Sequence, residues 1–166
     1  MSQPAIATAI DALLRGEQPD LSQLISSPED FARFIIAIED RDLTAEEAGD
    51  EEGAEKAGTL FTAFIVGVHE MHKEEAETQA VVKRLRSLLG VNKELEDDAI
   101  VAYLDELEET RPLLVALGCA MFIMLETVEA MEAGKPTRKG QILSENCSSL
   151  IELGMEELRE RFAEEA

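Results

Sequence analysis

The sequence is poor in aromatic residues, in cysteine and in positive charge. Aromatic residues make up 4% of its 166 positions, tryptophan is absent, and the single tyrosine is Tyr103. Aliphatic side chains, methionine and six phenylalanines must therefore form the core. Alanine, leucine, methionine and glutamate favour helices, whereas β-branched and aromatic residues favour strands. The composition therefore predicts an all-α fold.

The two cysteines, Cys119 and Cys147, are too few for a small disulfide-stabilised scaffold. Both lie among apolar residues, where a free cysteine behaves as a small buried hydrophobe. Cys119 has no basic neighbour and Cys147 follows the acidic Glu145, so neither is predicted to be a nucleophile. The N-terminus lacks the basic stretch and apolar run of a secretory signal, and we therefore expect a reducing, cytoplasmic location. The sequence leaves open whether the two cysteines pair.

Long hydrophobic runs are also missing. The longest uncharged stretch covers residues 112–125 and has 14 residues. A helix needs roughly 20 apolar residues to span a bilayer. The stretch therefore predicts a helix at the centre of a bundle, and we expect no membrane partner.

Positive charge is scarce, because 15 basic residues face 36 acidic ones and the net charge is −21. Such a charge repels nucleic acid and anionic membranes and attracts basic surfaces. Lys135, Arg138 and Lys139 form the only basic loop and do not offset this field. The charge is typical of a solvated helix surface, of a protein that docks onto a basic partner, or of a protein that mimics nucleic acid.

The length of 166 residues predicts a single domain over residues 1–166. Apolar residues at helical spacing, with capping signals at their ends, predict its helices. The fold class predicted is an all-α helical bundle of about five main helices, with one long helix and a central apolar helix. Ser27 is predicted to cap one helix that ends near residues 40–42. The remaining helices are predicted at residues 4–15, 60–89, 93–109, 110–133 and 141–163.

Residues 44–58 form the most acidic stretch. Thr44 and Glu47 match a capping box, which predicts a helical turn. Gly49, Gly53 and Gly58 argue against an uninterrupted helix. We therefore predict a mobile acidic connector with some helical turns.

The predicted helix over 60–89 would be about 45 Å long, which exceeds what a compact monomer of this size needs. Either it breaks near the polar residues Glu75 and Thr78, or its end packs against a second copy of the chain.

His69 and His72 form the most distinctive cluster of potential ligands. They are three residues apart, whereas a zinc-protease helix needs a spacing of four. They share a helix face, so they could bind a metal if a third ligand came from another helix. The alternative is a pair of histidines at the border of a packed face.

Paired carboxylates form a second candidate site. Glu74 and Glu77 lie on the long helix, and Glu94 and Asp97 lie on the next one. If these helices are antiparallel, the four could bind Mg²⁺ through carboxylate oxygens. The spacing resembles all-α nucleotide pyrophosphatases of the MazG and dUTPase kind, although Thr78 stands where that family's first motif has its last acid. The resemblance implies Mg²⁺-dependent nucleotide hydrolysis.

Our leading interpretation is a non-enzymatic adaptor or regulatory protein without a cofactor, which forms a homodimer and binds another protein through a helical surface. The long helix and the apolar central helix motivate this interpretation. The alternatives are the Mg²⁺-dependent hydrolase and a nucleic-acid mimic that blocks a basic protein.

Overall fold

The computed structural model describes residues 3–162, which form seven helices and no strand. The all-α prediction is therefore confirmed. The six helical segments predicted above become seven helices, because the longest of them breaks. The helices are α1 (Gln3–Leu14), α2 (Pro28–Glu47), α3 (Glu51–His72), α4 (Ala76–Leu89), α5 (Asp97–Asp105), α6 (Thr110–Ala133) and α7 (Arg138–Phe162). The last predicted position of the final helix, residue 163, lies outside the described residues.

The chain divides into two compact units, Met1–Phe64 and Ile65–Ala166. The sequence analysis predicted a single domain from the length of 166 residues. The boundary falls within α3, so this helix contributes its first part to unit 1 and its last turns to unit 2.

Unit 1 is built from α1, α2 and the first part of α3. Its buried core contains Ile6 and Ile10 of α1 with Phe34 and Ile38 of α2. Phe64 of α3 packs on this core, and its ring centroid lies 5.3 Å from that of Phe34. Aliphatic side chains and phenylalanine thus form this core, as the composition predicted.

The acidic segment predicted as a mobile connector over 44–58 is mostly helical, with a turn at residues 48–50 between α2 and α3. Helix α2 begins as predicted, with the Ser27 hydroxyl accepting from the Asp30 N–H at 3.1 Å, but it continues to Glu47. Gly49 then reverses the chain at a φ of 74°, a conformation that glycine adopts readily. Asp50 accepts from the Gly53 N–H at 3.0 Å and so caps α3. Local capping therefore outweighs the low helix propensity of the glycines.

The predicted long helix breaks, which was the first of the two alternatives. Residues 73–75 form a turn between α3 and α4, with Glu75 in an extended conformation. The Glu75 carboxylate accepts from Nδ1 of His72, and Arg111 of α6 donates to it at 3.0 Å. The Gln79 side chain donates to the backbone carbonyl of Lys73 at 3.3 Å. These polar contacts hold the turn, so neither helix extends for 45 Å.

Unit 2 is organised around α6, whose residues 113–121 are all buried. Helices α4 and α7 pack against α6, and α5 packs against α7. A methyl group added at Gly118 would lie 3.0 Å from the backbone of His69 and Ile65, so α6 and the end of α3 approach closely. By length and composition α6 could cross a membrane, but 56% of its apolar window is buried inside the protein. The prediction of a central apolar helix is confirmed.

The helix predicted over 93–109 is shorter in the structure, where α5 covers Asp97–Asp105. Asn146 of α7 accounts for the later start of this helix, because it binds the irregular linker that precedes α5. Its Oδ1 accepts from the Leu95 N–H at 2.9 Å. Its Nδ2 donates to the carbonyls of Leu89 and Lys93 at 3.0 and 3.2 Å. The Asn146 side chain therefore forms hydrogen bonds with backbone groups that would otherwise pair within a helix.

Candidate interaction surface

The four carboxylates predicted to bind Mg²⁺ lie at opposite ends of α4. Glu74 is in the turn before this helix and Glu77 is in its first turn. Glu94 follows its last residue, and Asp97 begins α5. The 14 residues of α4 correspond to about 20 Å of helix. Among residues 3–162, no group of three or more acidic, histidine or cysteine side chains is arranged to hold a metal ion.

Glu94 instead meets Glu145 of α7, a residue that the sequence analysis did not single out for the Mg²⁺ site. A hydrogen bond from Glu94, and then the charge of Glu94, raise the pKa of Glu145. The two exposed carboxyl groups therefore lie close together. Two carboxyl groups alone do not make a catalytic site.

The two histidines lie in different surroundings. His69 is 6% exposed, and its ring stacks on Phe122 with centroids 3.9 Å apart. His72 is half-buried and contacts the carboxylate of Glu75 in the turn. His69 therefore belongs to a packed face, as the second interpretation predicted, and His72 stabilises the helix break.

Both cysteines are buried and unpaired, which answers the question that the sequence left open. Burial raises the pKa of Cys119 and the pKa of Cys147 to about 12. A buried thiol with so high a pKa is a poor nucleophile. Neither cysteine is arranged for covalent chemistry.

The most highly charged surface of unit 1 is the acidic hairpin, which we define as residues 39–55. It contains nine acidic residues and one basic residue. The acidic residues that are exposed are Asp40, Glu46, Glu47, Asp50, Glu51, Glu52 and Glu55. These charges lie on the second half of α2, in the capped turn and at the start of α3.

An open groove lies beside the acidic hairpin, between the end of α1 and the first part of α3. We call it the α1–α3 groove, and its volume is about 500 Å³. Leucine and alanine side chains form much of its lining, and charged residues of α3 lie along one side. The lining residues are Leu13, Leu14, Gly16, Glu52, Glu55, Lys56, Thr59, Leu60 and Ala63.

Sequence reasoning identified the acidic stretch but not the groove. The two groups of lining residues are about 40 positions apart, and nothing in the local pattern brings them together. The only local signal is that Leu13 and Leu14 are adjacent apolar residues. They make the apolar face of the first helix wider than a single stripe of core residues requires.

Comparisons of this chain with family models, with curated proteins and with solved structures find no match. The function is therefore inferred from the residues and their arrangement alone.

Proposed function

We propose that this chain is a non-enzymatic, cytoplasmic adaptor or regulatory protein that binds the basic surface of another protein. The observation that carries the proposal is the acidic hairpin, in which seven exposed acidic side chains are held on two capped helices. Complementary charge steers association and selects among partners. Acidic residues on a helical backbone lose less conformational freedom when a partner binds than acidic residues on an unstructured segment do.

The surroundings of the other candidate groups agree with this proposal. The predicted Mg²⁺ ligands are separated by the length of α4, and both thiols are buried. Burial of unpaired cysteines is compatible with the reducing compartment expected from the sequence. The hairpin also underlies the nucleic-acid-mimic alternative, which differs in that duplex DNA would compete with the chain for its partner.

The predicted homodimer rested on the long helix and on the apolar central helix. In the structure the first is two helices, and much of the second is covered within its own unit. Dimer formation stays a prediction, and sedimentation equilibrium tests it against the monomer mass of 18.3 kDa.

Affinity capture with a matched pair of variants tests the proposal. The hairpin variant replaces Glu46, Glu47, Glu51 and Glu52 by glutamine, and the control variant replaces Glu129, Glu132, Glu152 and Glu156. All eight side chains are exposed, so both variants lose four charges without a change in the core.

We expect the wild-type chain and the control variant to retain the same basic protein, which elutes with salt, and the hairpin variant to lose it. Equal retention by all three chains would contradict the proposal. Release of the retained protein by duplex DNA would favour the mimic.

A further inference from the structure

We propose that the α1–α3 groove binds an amphipathic helix of another protein, with leucine-like side chains on one face and lysine or arginine beside them. The inference rests on the proposed function and assigns its binding site and the chemistry of the partner.

The floor of the groove is apolar and firmly supported. Leu13, Leu14 and Leu60 are half-buried, and each packs against the buried core of unit 1. Ala63 is exposed and adds little bulk, so the space above it stays open. A pre-formed apolar floor favours binding, because its side chains are already ordered before the partner arrives.

The charge along the groove selects a cationic partner. Glu52 and Glu55 line its α3 side, and the Glu52 side chain is 80% exposed. Lys56 also lines the groove and pairs with Glu52 at 3.1 Å, so the three charged lining residues together carry a net charge of −1. The remaining exposed acids of the hairpin continue from this edge. Lysine or arginine side chains of a partner would therefore meet negative charge immediately beside the apolar floor.

The shape of the groove favours a helix as its occupant. Two helices form its sides, and helices pack by placing ridges of side chains into such grooves. An amphipathic helix presents anchors at positions i, i+3, i+4 and i+7, which can follow a line of leucines. Gly16 lies at one end with a φ of 84° and has no side chain, so this end remains open to a continuing helix.

A synthetic 18-residue peptide of leucine and lysine, patterned as an amphipathic helix, is the probe for this site. Its affinity is measured by fluorescence anisotropy for the wild-type chain, for Thr59→Arg and for Gln23→Arg. Thr59 and Gln23 are both exposed in unit 1, and both substitutions add the same charge. Thr59 lines the groove, whereas Gln23 does not and lies outside the acidic hairpin.

We expect Thr59→Arg to weaken peptide binding by at least about tenfold and Gln23→Arg by no more than about twofold, since only the first places a charge and extra bulk in the groove. In the wild-type chain, the amide resonances of Leu13, Leu60 and Ala63 should shift on titration. Melting curves check that the variants fold. If Thr59→Arg is destabilised, Ala63→Arg replaces it, because Ala63 is also exposed in the groove.

Two results would overturn the inference. If both variants weaken binding equally, the peptide is held by general charge attraction and not by the groove, while the proposed function is unaffected. If the peptide does not bind the wild-type chain, the groove does not accept such a helix, and the hairpin variants still decide the proposed function separately.

Discussion

Replacement of Asn146 is the perturbation that best tests how unit 2 is held together. This side chain is 1% exposed and makes three hydrogen bonds to the backbone of residues 89–95. Asn146→Ala would leave the Leu95 N–H and two carbonyls without their partner. A buried polar group left unpaired costs about 1–3 kcal/mol, and part of this cost is relieved where water reaches the linker. We expect the free energy of unfolding to fall by about 2–4 kcal/mol.

Asn146→Asp separates hydrogen bonding from packing, because it keeps the shape of the side chain. One carboxylate oxygen can still accept from the Leu95 N–H, but the other would face the carbonyls of Leu89 and Lys93. Burial and these carbonyls should raise the pKa of the new carboxyl in the folded state above its unfolded value. The folded state then binds more protons, so the free energy of unfolding falls as pH rises through that range. The cost relative to wild type should be large at pH 7 and smaller at pH 5.

Urea denaturation followed by circular dichroism at pH 7 and pH 5 measures both effects, and Asn92→Ala is the control. Asn92 is exposed in the same linker, so its loss should change the free energy of unfolding by less than about 0.5 kcal/mol. Amide exchange adds a local measurement, because the Leu95 N–H should lose protection in Asn146→Ala. An Asn146→Ala variant as stable as the control, with Leu95 still protected, would refute the reasoning.

Four further predictions concern packing, thiols, charge and metal. Gly118→Ala should lower the free energy of unfolding in urea by about 1–3 kcal/mol, because its new methyl group meets fixed backbone atoms. In Gly67→Ala the new methyl group meets nothing within 4 Å, so the free energy of unfolding should instead rise by up to about 1 kcal/mol. Equal effects of the two substitutions would be inconsistent with the close approach of α6 to α3. Cys119 and Cys147 should resist an aromatic disulfide reagent at pH 8 in the folded protein and react in denaturant; rapid reaction without denaturant would show that they are accessible. Because the pKa of Glu145 is raised in the folded state, the free energy of unfolding falls as pH rises above the ordinary carboxyl range. Glu145→Gln should therefore raise the melting temperature more at pH 7 than at pH 4. An equal gain at both pH values would exclude ionisation of Glu145 as the cause. Mg²⁺ with a nucleoside triphosphate should leave the melting temperature unchanged, and a rise that requires both would favour the hydrolase interpretation.

Much of the helical pattern can be predicted from the sequence, because it depends on spacing within one segment. The central helix over 110–133 has the predicted bounds, and Ser27 caps α2 as expected. Apolar residues that repeat at helical spacing must be buried on one side, whatever partner covers them. The net charge likewise follows from composition and is independent of the fold.

The errors in the prediction lie where one segment binds another, or where several weak local signals compete. The acidic hairpin is helical because Asp50 caps α3, although three glycines favoured an irregular connector. The helix before α6 begins late because a side chain some 50 residues away binds the linker that precedes it. This second kind of hydrogen bond joins distant positions, so it leaves no periodic trace in the local sequence.

The sequence by itself determined the all-α class, the aliphatic core and the strongly acidic surface, since each depends on residue type and local spacing. Only the tertiary structure decided which charged and apolar groups lie together. In the structure Glu77 and Glu94 lie at opposite ends of α4, whereas Leu13 and Leu60 line the same groove. The reason is physical: a binding site is a set of distances between helices, and these distances follow from packing across the whole unit.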